Sequence, residues 1–431
     1  MPRPGVKGPA DVAIVGAGPT GLALALMLRR QGRRVVVHER FDAPRPIGAG
    51  FMLQSTGLSV LDRLGLTARI TALGQPLNHV FGREARRRRV VLDVKYSDLK
   101  TPRPDGINAL GVHRATIFHV LHDACLAEGV QFQTDTEVVA ASGGRMTTAR
   151  GGTGPTFDLV VDASGARSPV AHALGVAQGS RRAELPWGAL WATVPWPGTP
   201  FDEGALEQVY RGASRMIGVL PCGTRPDGPD RLATFFWSLK HADHPEWRAT
   251  GLEPWKAEVR GLWPEVSPVL DTLTDPDQLT LARYGHHTLP LPVADRLAVV
   301  GDAAHSTSPQ LGQGVNMGLL DAQALADALE AHADLGEALS AYAAARRWHV
   351  RLYQALSMGF TPFYQADGKS LPWVRDHVLG KLARLPFAAR MLAATVSGVL
   401  LDPRSSPSPS GEGGRSAAET GWGRQGDTTQ V

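Results

Sequence analysis

Two stretches of this chain carry residues whose types and spacing could do chemistry. Near the front, Gly16, Gly18 and Gly21 stand in "GAGPTG", between the β-branched run Val12 to Val15 and a Leu/Ala-rich run from Leu22. Glycines at this spacing permit a tight turn, close approach of backbone to a pyrophosphate, and close packing of helix on strand. The helix start adds free N–H groups and partial positive charge suited to phosphates. Glu39 follows at the end of the next β-branched run, at roughly the 20-residue distance where an acid holds a ribose. A carboxylate there accepts from ribose hydroxyls and repels a 2′-phosphate, which suits FAD or NAD and suits NADP poorly.

The second stretch is "VVGDAAHSTSPQLGQGVNMGLLDA", Val299 to Ala322, again strand, glycine turn and helix. An NAD site has no need of a second junction of this kind. FAD is longer, and its ribityl chain and ring must be held elsewhere. Asp302, expected at a strand end, can accept from ribityl hydroxyls. "PQLGQGVN", Pro309 to Asn316, brings backbone close to a planar ring. A helix starting near Asn316 would turn its positive end toward an anionic reduced flavin. Taken alone the stretch reads as an ordinary βα loop with Asp302 as a turn residue. Beside Gly16 to Glu39 it reads as the other half of one cofactor site.

These residues require a particular set of elements. Asp11 to Arg40 predicts strand, helix and parallel strand, the start of a doubly wound α/β sheet. Leucines at helical spacing predict a helix over Leu53 to Leu66, and "HRATIFHVLHDACLAEGV" predicts another. Strands are expected around Leu77 to Phe81 and Val90 to Val94, with Arg86 to Arg89 as a solvated turn. "VQFQTDTEVVAAS" and "TFDLVVDASGARS" read as strands returning to the first domain. Between about Arg182 and Tyr284 the pattern changes to alternating strands and Pro-rich turns, and seven of the ten tryptophans fall between Trp187 and Trp263. This segment reads as a second domain lining a hydrophobic pocket, although most of its indoles individually suit a core. After Asn316 the chain reads as helical, and from Asp402 as a Ser-, Gly- and Pro-rich disordered tail.

The fold class expected is α/β, a Rossmann-like FAD-binding domain interleaved with a smaller mixed β-sheet substrate domain, plus C-terminal helices. The expected boundaries are 8–76, 103–181 and 285–345 for the first domain, 77–102 and 182–284 for the second, 346–401 for the helical subdomain and 402–431 for the tail. With 43% hydrophobic and 20% charged residues and a net charge of +4, composition is that of a soluble enzyme without a nucleic-acid signature. The two cysteines, Cys125 and Cys222, exclude a disulfide framework and suit a reducing cytoplasm. No apolar run approaches the ~20 residues that span a bilayer, and the start lacks a signal-peptide core. A peripheral membrane contact through the C-terminal helices stands as an expectation. No metal site is read: His241 and His244 lack further ligands nearby, and His286 and His287 diverge on a strand.

"GAGPTG" with Glu39, "RLAVVGDAAH" and "PQLGQGVNMGLLDA" together resemble the flavin-dependent aromatic monooxygenases typified by 4-hydroxybenzoate hydroxylase, over roughly residues 10 to 400. The resemblance implies FAD held through Gly16, Ala17, Gly18, Thr20, Gly21, Glu39, Arg40, Asp302, Pro309, Gly312, Gly314, Val315 and Asn316. It implies that Arg114 reaches the cofactor phosphates and that Val138 gives backbone contacts to adenine. It also implies a single-component enzyme in which NADH or NADPH reduces the flavin, dioxygen adds, and a flavin hydroperoxide hydroxylates an aromatic or other hydrophobic molecule. Two departures stand out. "VVDASGARSPVAHAL" has Ser164 where the family usually has aspartate and Ala171 where an arginine often stands, a variant similar to that of flavin halogenases and isoprenoid reductases. Gly48 replaces an arginine near flavin and nicotinamide. An FAD-dependent reductase or dehydrogenase of an isoprenoid-like substrate, and a non-catalytic flavin- or ligand-binding protein, are the alternatives. No side chain need act as a base; His286 and Gln54 are the weak candidates, and His305 reads as a structural hydrogen-bonder.

Overall fold

The computed structural model describes residues 8–45, 48–383 and 385–401 of the 431-residue chain. The tail expected to be disordered, 402–431, lies outside the described residues. Strand β1 (Asp11–Val15) pairs in parallel with β2 (Arg34–His38) on one side and with Leu159–Asp162 on the other. The whole sheet runs Val293–Ala294, Leu297–Val299, Leu159–Asp162, β1, β2, Gln131–Gln133, and its end hairpin is the antiparallel pair.

Side chains alternate across a strand, so this sheet feeds two cores. Val12 and Ile14 face helix α1 (Pro19–Arg30), while Ala13 and Val15 face the hairpin Val138–Ser142/Arg145–Thr148 and the helix Pro169–Ala177. Helix α1 is buried at every residue from Gly21 to Leu28, and it packs on the rear helix Gly314–Ala331 and on Arg114–Ala127. A helix apolar on most sides is what a position between a sheet and two other helices demands.

The second sheet has seven strands, in the order Thr280–His286, Ala183–Pro195, Gly228–Lys240, Arg215–Arg225, Ala205–Arg211, His79–Glu84, Val90–Lys95. It is mixed, because His79–Glu84 runs parallel to Ala205–Arg211. Its two faces divide the tryptophans. Trp237 joins Trp247, Trp255 and Trp263 beneath three short helices on the far face, in edge-to-face contacts with ring centroids 6.1 to 6.2 Å apart where Trp255 meets Trp247 and Trp237. These indoles are core, as large apolar volumes between short amphipathic helices and a sheet must be. Trp191 lies on the opposite face with Met216, Leu220, Cys222 and Phe236, packed against Met52 and Tyr96. Four of the seven indoles of the segment thus fill the far core, in keeping with the expectation that most of them individually suit a core.

A small sheet of Gly50–Gln54, Ala109–His113 and Gln75–Pro76 joins the two large ones. The helix expected from Leu53 begins at Ser55, because Gly50–Gln54 pairs antiparallel with Ala109–His113 as a strand. The long helix Leu335–Tyr364 and the terminal helix Pro386–Val396 close the described chain. Among the described residues, no helix is long and apolar enough to cross a membrane.

Candidate active site

The front junction is built from backbone against backbone. Gly16 has φ +101°, a conformation side chains rarely adopt, and its N–H donates to the His38 carbonyl at 2.8 Å. A Cβ there would lie 2.8 Å from the Ala163 carbonyl oxygen, and one on Gly21 would lie 2.2 Å from that of Gly16. Gly18 is different, with nothing within 4 Å of the place a Cβ would take. Two glycines thus close the turn and the third leaves an open approach to the helix start. Glu39, 8% exposed, accepts from the Ala17 N–H at 2.9 Å and from the Phe41 N–H at 3.2 Å. Arg40 is exposed, and its guanidinium and that of Arg45 both lie over the Phe41 ring.

The rear junction lies against the front one. The strand ends at Val299, and Asp302 opens a short helical turn, Asp302–His305, rather than ending the strand. The Thr20 hydroxyl of α1 sits in a notch between two rear glycines: a Cβ on Gly301 would lie 3.0 Å from Thr20 Oγ1, and one on Gly318 2.3 Å. The rear helix begins at Gly314, two residues before the expected Asn316, and Gly312 before it is left-handed at φ +63°. Asn316 is fully buried. Its Oδ1 accepts from the Gln54 N–H at 2.8 Å, and its Nδ2 donates to the carbonyls of Gly312 and Met52. Its side chain is spent on tying the loop to the strand Gly50–Gln54, which leaves only its backbone for the approach to a ring expected of Pro309 to Asn316.

A buried ionic network underlies this loop, and of its members only His305 reads from the sequence, as a structural hydrogen-bonder. Asp321, 0% exposed, accepts from the Gly301 N–H at 2.8 Å, from His305 Nε2 at 2.5 Å and from Arg346 Nε at 2.7 Å. Burial alone would raise its pKa, but His305 and Arg346 hold the carboxyl well below the usual range. His349 continues the network from Arg346 to the Gly398 carbonyl. A lone acid inside the apolar run "GLLDAQALA" was the available signal, since a buried charge requires partners. Asp162 plays a similar part in the variant motif. It accepts from the Ser164 N–H and Oγ and from the Ser168 hydroxyl, which caps the helix Pro169–Ala177.

Arg114 opens the helix Arg114–Ala127, capped by His113, whose Nδ1 accepts from the Ala115 N–H. Both Arg114 and Asp302 are exposed, and neither makes an ion pair or a side-chain hydrogen bond among the described residues. Arg114 nonetheless has protein on its other sides, from Gly48 to the Phe51 ring. That enclosure lowers its pKa, with Asp302 near enough to offset part of the effect. An open helix start at Gly18, a ribose-type acid, an uncommitted guanidinium and an uncommitted carboxylate together fit the phosphates, ribose and ribityl chain of FAD.

On the other side, a Cβ on Gly312 would meet Met52 Cε at 2.9 Å, so the loop adjoins the apolar face of the second sheet. There Trp191 stacks on Phe236 with centroids 4.9 Å apart and donates its indole N–H to the Tyr284 hydroxyl at 2.8 Å. Burial raises the Tyr284 pKa, so the phenol stays protonated. The base candidates fare differently. Gln54 is 0% exposed, its amide oxygen accepts from Tyr96, and an amide is no base; that candidacy is withdrawn. His286 ends its strand with both ring nitrogens buried and without a well-formed hydrogen bond, and burial lowers its pKa. Val138 is buried at the start of its hairpin. Pro309 opens a 3-10 turn, and Val315 lies half-buried in the first turn of the rear helix.

The fold sets a Rossmann-like sheet with two glycine-rich junctions beside a mixed sheet that carries Trp191 and Phe236, an arrangement that suits a flavoprotein. Residues 9–354 match the family model described as FAD binding domain. The chain is 30% identical over 444 residues to kynurenine 3-monooxygenase of Salinispora arenicola, covering 89% of this chain and 90% of that one. It is 27% identical over 384 residues to 2-heptyl-3-hydroxy-4(1H)-quinolone synthase of Mycobacteroides abscessus, covering 86% and 94%. Klebsiella pneumoniae HpxO, solved with FAD and uric acid, shares the fold at a TM-score of 0.75 and 21% identity, covering 89% of this chain and 97% of that one. The chain belongs to the FAD-dependent aromatic monooxygenase family.

Proposed function

We propose that this enzyme hydroxylates a flat, electron-rich aromatic molecule bearing a hydroxyl, amino or carbonyl group, with NADH or NADPH as reductant and dioxygen as oxidant. The observation that carries this reading is the Trp191–Phe236–Tyr284 group on the sheet face that adjoins Gly312 through Met52. FAD, when bound, supplies the electron transfer and the activation of dioxygen. The chain's own residues bind, orient and shield. Gly16 to Gly21 and Glu39 take the ADP end, Arg114 the phosphates and Asp302 the ribityl hydroxyls. Trp191 and Phe236 offer an aromatic wall, and the enclosed apolar side chains around them keep water out. Tyr284 accepts from Trp191 and keeps its own proton, which leaves it free to donate to an oxygen of the substrate. The relatives, a kynurenine 3-monooxygenase and a synthase of a 3-hydroxy-4(1H)-quinolone, support an amino- or oxo-substituted aromatic. Two free, buried cysteines support a cytoplasmic setting.

The test is aerobic oxidation of NADH and NADPH by flavin-loaded enzyme with hydroxy- and amino-substituted aromatics under isotopically labelled dioxygen. Product carrying one labelled oxygen is expected. Substrate-stimulated oxidation that releases only peroxide or a dehydrogenated product would overturn the reading. Tyr284→Phe is expected to raise KM about tenfold, in keeping with the loss of one buried hydrogen bond, with kcat less affected.

A further inference from the structure

Exposed apolar side chains are unevenly spread over this molecule. Of fifteen large hydrophobic residues exposed among the described residues, four precede Trp348 and the other eleven lie from Trp348 onward. The densest group runs from Trp373 to Met391 and includes Leu379, Leu382 and Leu385; Phe387 reaches 76% exposure. The same helical segments already have a satisfied inner face: Arg375, Gly380, Ala393 and Val396 are buried, the last two in the cluster with Met52, Tyr96 and Phe236. The outer face is therefore an unpartnered apolar surface rather than a misplaced core. Soluble monomers seldom expose such surface contiguously without a use for it.

Charge identifies what covers it. From Trp373 to Met391 the chain holds Arg375, Lys381, Arg384 and Arg390 against a single acid, Asp376, whose largely buried carboxylate is paired with Arg375. Lys381 and Arg390 are exposed beside the apolar residues. A second copy seated on this face about a two-fold axis would bring Lys381 and Arg390 against like charges, because the one acid of the face, Asp376, is already engaged by Arg375. A surface of negative headgroups over hydrocarbon satisfies both halves of the pattern, as interfacial amphipathic helices do. We propose that the outer face from Trp373 to Met391 seats on an anionic lipid surface, with Leu379, Leu382, Leu385, Phe387 and Met391 entering the interface and Lys381 and Arg390 reaching headgroup phosphates.

The seat is mechanically joined to the site. Gln313, in the flavin-side loop, donates from its side chain to the Val396 carbonyl at 2.5 Å, and Tyr353 donates to that of Thr395 at 3.2 Å. Lipid contact at one end of the terminal helix thus adjoins the apolar side of the active site at the other. The docking itself does not depend on the hydroxylation reading.

Co-sedimentation of the FAD-loaded full chain with vesicles tests it, using phosphatidylcholine alone and phosphatidylcholine mixed with phosphatidylglycerol. Affinity for the mixed vesicles is expected to be at least about tenfold higher and to fall with added salt. Leu382→Ser with Phe387→Ser is expected to weaken binding about tenfold. Lys381→Gln with Arg390→Gln is expected to abolish the lipid preference. All four positions are exposed, so flavin absorbance and thermal midpoint should not move, which separates lost docking from lost folding. Equal binding to neutral and anionic vesicles, or binding indifferent to both double variants, would overturn the proposal. A dimer in sedimentation equilibrium that Leu382→Ser/Phe387→Ser dissolves, without vesicle binding by the parent, would assign the face to a second copy instead.

Discussion

The two glycine-rich junctions share a plan of strand, turn and helix but hold their acids in opposite ways. At the front, Glu39 is buried and its oxygens are engaged by the Ala17 and Phe41 N–H groups, so the acid helps to shape the turn it serves. At the rear, Asp302 is exposed and uncommitted, and a different acid, Asp321, orders the loop from beneath. The front turn is stiffened by backbone packing on backbone; the rear turn rests on a buried ionic network. This division of labour leaves Asp302 free for a ligand, and it makes the rear junction the one whose stability depends on charge.

The largest expected effect breaks the rear junction. Asp321→Ala leaves Arg346 buried without its carboxylate and should cost about 3–5 kcal/mol of stability, read as a fall in the thermal or denaturant midpoint. Next comes pH. Burial, reinforced by nearby Arg225, pushes the His113 imidazole down to about 4. The unfolded chain, near 6.5, therefore binds the extra proton between those values. The stability from this group is complete above about pH 6.5 and is lost as pH falls toward 4, by roughly 3 kcal/mol at most. His113→Asn retains a capping acceptor and should flatten that part of the stability–pH curve.

The front junction offers an internal contrast. Gly21→Ala must push the Gly16 carbonyl aside and should cost about 1–3 kcal/mol along with flavin retention. Gly18→Ala meets open space, so the fold should stand while flavin content per polypeptide alone drops. Asp302→Asn sharpens the comparison from the other end. Stability should change by less than about 0.5 kcal/mol, while flavin affinity falls about tenfold. An Asp302 variant that lost several kcal/mol of stability would refute the division between an uncommitted and a structural acid.

The front junction was legible residue by residue, because its chemistry is local: Gly16, Gly18, Gly21 and Glu39 lie within one βαβ unit. The rear junction was legible in outline only. The sequence marks Asn316 as part of a loop whose backbone approaches the cofactor, but not that its side chain binds the Gln54 backbone, a partner 262 positions away in sequence. Gln54, a weak base candidate by sequence, is an enclosed partner of Tyr96. The tryptophans were counted correctly but could not be sorted by face, because bulges between Glu184 and Gly188 and between Pro221 and Gly223 shift strand register.

Sequence alone determined the front glycine turn, the presence of a second strand, turn and helix junction and the family, because glycine spacing and a strand-end acid are short-range constraints on backbone shape. Only the tertiary structure decided which acid is free and which is buried, which indoles face the site, and that the terminal helices leave an apolar, basic face uncovered. Those outcomes depend on which distant residues come to share a desolvated space, and burial is a property of the assembled chain.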